Sequence, residues 1–147
     1  MNIYVKGALA GAAVLLAIQL VPYGHDHPNP LPVAEPSWDS PATRQLAKRA
    51  CFNCHSFETE WPWYAAIAPA SWLVFHDVHD GRQKLNFSSW QNGALDGESP
   101  AVIAKQLRDG EMPPWQYLLA HPEARLSPAE KKQLSAGLQA TVKRSLK

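Results

Sequence analysis

The sequence predicts an all-α protein, and three observations carry that reading. Ser or Asp followed by proline marks the head of several stretches, as at Asp39-Ser40-Pro41, Ser99-Pro100 and Ser127-Pro128, where proline at a first helical position is expected. Apolar residues behind these starts return every third or fourth position. No segment shows the sustained apolar and polar alternation of a half-buried strand. The 147 residues hold one domain of about 100 residues after a leader, and no second core.

Gly7 to Val21 is an apolar run interrupted only by Gln19, with Lys6 before it and Pro22-Tyr23-Gly24 after it. At roughly 15 to 17 residues it suits a signal-peptide core and reaches the short limit for a membrane span. No good small-x-small cleavage site follows, so residues 1-24 are expected to form an uncleaved signal-anchor, with a cleaved signal peptide as the alternative. Residues 25-38 carry Pro28, Pro30, Pro32 and Pro36 and predict an extended, semi-rigid spacer. His25 and His27 within it are expected to be solvated. The domain proper occupies 39-147.

Its first helix starts at Asp39 or Ser40 and sets Leu46, Ala47 and Ala50 on one side. A second start at Ser71 is followed by Trp72, Phe75 and Val78 or His79 until Gly81. Ser99-Pro100 opens a third, with Ile103 and Leu107 on one face and Gly110 as the stop;. The fourth has a capping serine, a first-turn proline and Glu130 at the third position, then Leu134, Leu138, Val142 and Leu146 every four residues;. The helix leading from residue 40 is expected to pack against this C-terminal one.

The first helix runs directly into Cys51-Phe52-Asn53-Cys54-His55. Two thiols three positions apart followed at once by histidine form the attachment pattern of a c-type haem. Each sulfur can add to one vinyl group, and the imidazole supplies an axial nitrogen for iron. A redox dithiol fits less well, because no strand-helix-strand pattern precedes the pair. Zinc would need two further ligands from His55, His76, His79 or His121, which lack finger-like spacing. A Cys51–Cys54 disulfide would close a very small loop. With both cysteines in the motif, the sequence offers no disulfide framework.

Met112, in Gly110-Glu111-Met112-Pro113-Pro114-Trp115, is the best candidate for the opposite axial ligand, since two prolines stiffen its loop and a thioether raises the reduction potential. His76 and His79 are its rivals, one turn apart, and His121 reads as a loop residue. Six tryptophans stand in this chain. Trp61, Trp63, Tyr64, Trp72 and Trp90 are candidates for the wall around a porphyrin, although each taken alone reads more readily as core. Arg82 and Lys84 are candidate propionate partners.

The string Cys51-x-x-Cys-His-Ser56, Glu60-Trp61-Pro62-Trp63-Tyr64, Ile67-Ala68-Pro69, Ser71-Trp72-Leu73, Gly81-Arg82, Leu85-Asn86-Phe87-Ser88 and Met112-Pro113-Pro114 resembles the bacterial haem-binding domain family of cytochrome c type, from about Ala42 to Leu138. The resemblance implies a cytochrome c-like fold and a single covalent haem c with its iron, facing the periplasm. It makes Cys51 and Cys54 the attachment sites, His55 the proximal ligand and Met112 the distal one. Paired histidines at 76 and 79 are not part of that pattern.

An electron carrier is therefore the expected function, working with membrane-associated redox partner proteins and tethered at the periplasmic side of the inner membrane by its N-terminal helix. The alternatives are a haem that senses or turns over a small ligand at an open or histidine-gated site, and an assembly module of a membrane oxidase. A formal charge of +1 with interspersed acids and bases gives no strong pull toward nucleic acid or toward an acidic surface.

Overall fold

A computed structural model describes residues 2–90 and 99–145. Among them are seven α-helices and no strand, so the expected all-helical class holds. The helices are α1 (Ile3–Ile18), α2 (Pro41–Ala50), α3 (Phe52–His55), α4 (Ala70–Lys84), α5 (Pro100–Asp109), α6 (Trp115–Ala120) and α7 (Pro128–Ser145). They fall into two units, one of Met1–Pro28 with Glu60–Asp77 and one of Asn29–Thr59 with Val78–Lys147.

In the first unit α1 begins at Ile3, ahead of the apolar run, and none of its residues is buried. No helix among the described residues is long and apolar enough to cross a membrane. The end of α1 is clamped: Gln19 donates from Nε2 to Ala68 O at 3.0 Å and accepts from Ala68 N at 2.9 Å. Tyr23 meets Phe75 edge-on at 5.1 Å. His27 is no solvated linker residue, since it stacks on Trp61 at 4.5 Å and its Nε2 lies 3.0 Å from Ala65 O.

The second unit holds the larger core. Ser40 is the cap that starts α2, accepting from Thr43 N at 3.2 Å. Ser127 and Glu130 form the expected capping box, with Glu130 N donating to Ser127 Oγ at 3.2 Å and Ser127 N to Glu130 Oε2 at 2.8 Å;. Gly110 ends α5 in the left-handed region at φ 79°;. α5 and α2 both pack on α7, burying Ala47, Leu107, Leu134 and Leu138. Gly137 makes the α2–α7 approach possible, because a Cβ there would lie 2.6 Å from Thr43 Cγ2 and closer still to its hydroxyl.

Three expectations change. α4 does not stop at Gly81 but continues to Lys84, because tertiary contacts keep a mid-helix glycine in place. The proline-rich stretch is extended, yet residues 29–38 are stitched to the domain: Val33 N donates to Ser88 O at 2.8 Å, Trp90 N to Ala34 O at 2.9 Å, and Asn29 Nδ2 to Thr59 O at 2.8 Å. The short α6 follows Pro114, where a loop was expected. Leu146, the last apolar position predicted for α7, lies outside the described residues.

Candidate haem site

Cys51, Cys54 and His55 are set by one tight turn. Cys54 N and His55 N both donate to Cys51 O, at 3.1 and 2.9 Å. Between them, Phe52 is 2 % exposed and lies against Trp38 and Phe87 at ring separations of 6.2 and 5.3 Å. The first variable position of the motif is thus its core anchor. Burying such a ring contributes about 1.5–3 kcal/mol, which fixes the turn to α2 and the core.

His55 is oriented from across the fold. Its Nδ1 lies 2.8 Å from Gly81 O and 3.1 Å from Leu85 O. Carbonyl oxygens only accept, so the ring proton sits on Nδ1 and the lone pair on Nε2. Phe87 N donates to His55 O at 2.8 Å, closing the same segment onto the backbone below. Gly81 allows this approach: a Cβ there would stand 2.5 Å from Cys54 O and 3.2 Å from Cys54 Cβ.

The loop after the motif is braced by Arg82. Its Nε donates to Ser56 O at 2.8 Å, and its Nη2 donates to Asn29 Oδ1 and Thr59 Oγ1, both at 2.9 Å. The guanidinium also lies over the Phe57 ring at 5.2 Å. Buried Ser56 donates to Phe52 O at 2.7 Å, and Phe57 N donates to Ser88 Oγ at 2.9 Å. Arg82, expected at a propionate, therefore holds protein acceptors with these donors.

Neither cysteine is disulfide-bonded. Burial, reinforced by neighbouring Cys54, pushes the Cys51 thiol up to about 12. On α6, Tyr117 accepts from Asn53 Nδ2 at 2.8 Å, and burial raises its phenol to about 12, with Cys54 adding to the effect. Cys51 is thus held as a thiol, on the same turn as an imidazole of defined tautomer. Among the described residues no group of three His, Cys, Asp or Glu could hold a metal ion, so the zinc alternative has no ligand set there. The donors fit a haem: two sulfurs one turn apart for its edge and one imidazole nitrogen for its iron.

The remaining candidates separate. Met112 is half-buried on the loop before α6 and lines a cleft of about 270 Å³ with Pro113, Trp115, Leu118 and Arg125. Trp90 is a core residue, donating from its indole to Ser145 Oγ at 3.0 Å. Trp61, Trp63, Tyr64 and Trp72 belong to the first unit. There Trp63 is 79 % exposed, and the buried indole nitrogens of Trp61 and Trp72 have no hydrogen-bond partner among the described residues. His76 and His79 are exposed, with His79 Nδ1 3.5 Å from Asp80 and its Nε2 3.4 Å from Gln83. His121 stacks on Tyr117 at 4.3 Å and meets Glu123 at 3.1 Å. Lys84 is exposed.

Sequence reasoning missed Phe52, Gly81 as a contact, Ser56, Thr59 and Asn53. Of these, Gly81 gave a local signal, being a glycine inside a helical pattern. A family model described as a haem-binding domain matches residues 13–140. No curated protein and no solved structure matches the chain. With most of its length covered by that one match, and with thiols and imidazole disposed to receive the group, the chain belongs to the haem-binding domain family.

Proposed function

We propose that the protein is an exported monohaem c-type cytochrome that carries electrons. The observation that carries this reading is the His55 ring, whose Nδ1–H is directed at Gly81 O and Leu85 O, which puts the lone pair on Nε2 of a residue that shares its turn with two thiols;. Bound haem would supply a one-electron ferric/ferrous couple. Cys51 and Cys54 would hold it through thioethers, and His55 would supply an imidazole nitrogen to its iron. The two carbonyls fix the imidazole plane and increase its basicity toward a metal. Burial of Phe52 and the Arg82 brace keep that geometry unchanged between redox states, which suits a carrier.

In this reading Met112 would supply a thioether sulfur to the iron. Support comes from its loop, which leads directly into α6, and from the Tyr117–Asn53 bond that ties α6 to the motif. The 16-residue α1, about 24 Å at 1.5 Å per residue, continues through apolar Leu20 and Val21, and this segment tethers the chain at the periplasmic face of the inner membrane.

The test is spectroscopic. Protein matured in a haem-attaching periplasm should keep its colour after denaturation and acid-acetone extraction, and C51S/C54S should lose it. The ferric form should show a methionine-to-iron charge-transfer band, and the ferrous form should not take up carbon monoxide. In Met112→Ala the band should vanish and carbon monoxide should bind. A band that survives this change sinks the Met112 assignment, and rapid carbon monoxide binding by the unaltered protein sinks the closed carrier.

A further inference from the structure

The second unit carries a basic, partly apolar concavity that meets the proposed haem site at Met112. A cleft of about 560 Å³ is lined by Ala104 and Arg108 of α5, by Lys131, Lys132 and Ala136 of α7, and by Leu126 just before α7. The Met112 cleft shares Leu126 and Lys131 with it and adds Arg125, Trp115 and Leu119. Trp115 and Leu119 are 71 and 72 % exposed. Four cations thus line two hollows that share Leu126 and Lys131, and among the described residues no carboxylate lines either.

Most nearby acids are already paired, and one of these pairs, Asp109 with Arg108, involves a lining cation. Asp109 pairs with Lys105 at 2.8 Å and Arg108 at 3.4 Å, Glu123 meets His121, and Glu130 pairs with Arg49. Glu111 stands beside Met112 in the chain and lines neither hollow. Arg125, Lys131 and Lys132 have no ion pair among the described residues. In a chain of net charge +1 this is a local excess of one sign.

We infer that the joined clefts are the docking surface for an acidic protein, one that presents carboxylates around a protruding apolar side chain. Charge complementarity selects the sign of the partner and steers its approach. The apolar lining selects a protein, because a concave hollow accepts a protruding side chain, whereas a bilayer surface offers no such projection. The partner's role as electron donor or acceptor rests on the electron-transfer reading, since Met112 lines the shared cleft.

The experiment uses the full haem-loaded chain in uncharged detergent, labelled with nitrogen-15, and a synthetic polyglutamate peptide with one central leucine. Amide shifts are expected at Arg108, Leu126, Lys131 and Lys132, with affinity falling about tenfold between low and moderate salt as the charges are screened. K131E/K132E should weaken binding by about tenfold or more, and K131Q/K132Q, which adds no repulsion, should weaken it by less. Absence of these shifts, affinity unchanged in both variants, or saturation of the same amides by phosphatidylglycerol vesicles but not by the peptide would each overturn the proposal. Redox titration of the same samples separates the two readings. Peptide binding without a reversible couple overturns the carrier alone, and a reversible couple without binding overturns the docking surface alone.

Discussion

Gly81→Ala is the change on which the site's architecture depends most directly. At an ordinary helix interior, alanine in place of glycine stabilises by about 0.5–1 kcal/mol. At position 81 the added methyl would meet Cys54 O at 2.5 Å and Cys54 C at 3.1 Å, both backbone atoms that cannot rotate away. Relieving the overlap moves α4 outward by about 1 Å, which stretches the 2.8 Å Nδ1–H···O contact of His55 to Gly81 past hydrogen-bonding range. Overpacking costs about 1–3 kcal/mol and the weakened bond about 1 kcal/mol. Set against the helix gain, the net loss is about 1–3 kcal/mol. Urea unfolding of the full chain, followed by tryptophan fluorescence and far-ultraviolet dichroism, should show a midpoint lower by about 1 M for a loss of 2 kcal/mol. The sign is decisive: a midpoint equal to or above that of the unaltered protein refutes the close approach of α4 to the motif.

Three further changes probe neighbouring links. Phe52→Ala should destabilise by about 3–5 kcal/mol and reduce haem incorporation per chain, measured by pyridine haemochrome; normal incorporation would show that the buried ring does not anchor the turn. Tyr117→Phe removes the acceptor for Asn53 Nδ2 and should lower stability by about 0.5–1.5 kcal/mol in the same urea assay, while Asn53→Ala combined with it should add little more. Glu130 is held down to about 2 from an ordinary 4.5, first by the Ser127 backbone N–H and then by Arg49. A depressed folded value means stability that is present above about 4.5 and lost as pH falls toward 2. Melting temperatures of the unaltered protein and E130Q should therefore differ at pH 7 and converge near pH 2, and a constant difference across that window contradicts the assignment.

Much of this molecule is legible in short stretches of sequence. Cys51, Cys54 and His55 are placed by a single turn in which Cys54 N and His55 N both donate to Cys51 O. Ser40, Ser99 and Ser127 cap helices through amides three residues on. These outcomes depend on backbone geometry within about four residues, so the spacing alone determined an all-helical chain with Cys51, Cys54 and His55 on one turn. The tertiary structure decided what lies across from that motif. The carbonyl over the His55 ring comes from 26 residues away, and only the packing of α4 against Cys54 brings it there, with Gly81 inside the helix rather than at its end. Arg82 braces the loop after the motif and Trp90 packs in the core, each through partners remote in sequence. Which of several chemically suitable residues reaches a site is set by long-range packing, and periodicity along one segment does not encode it.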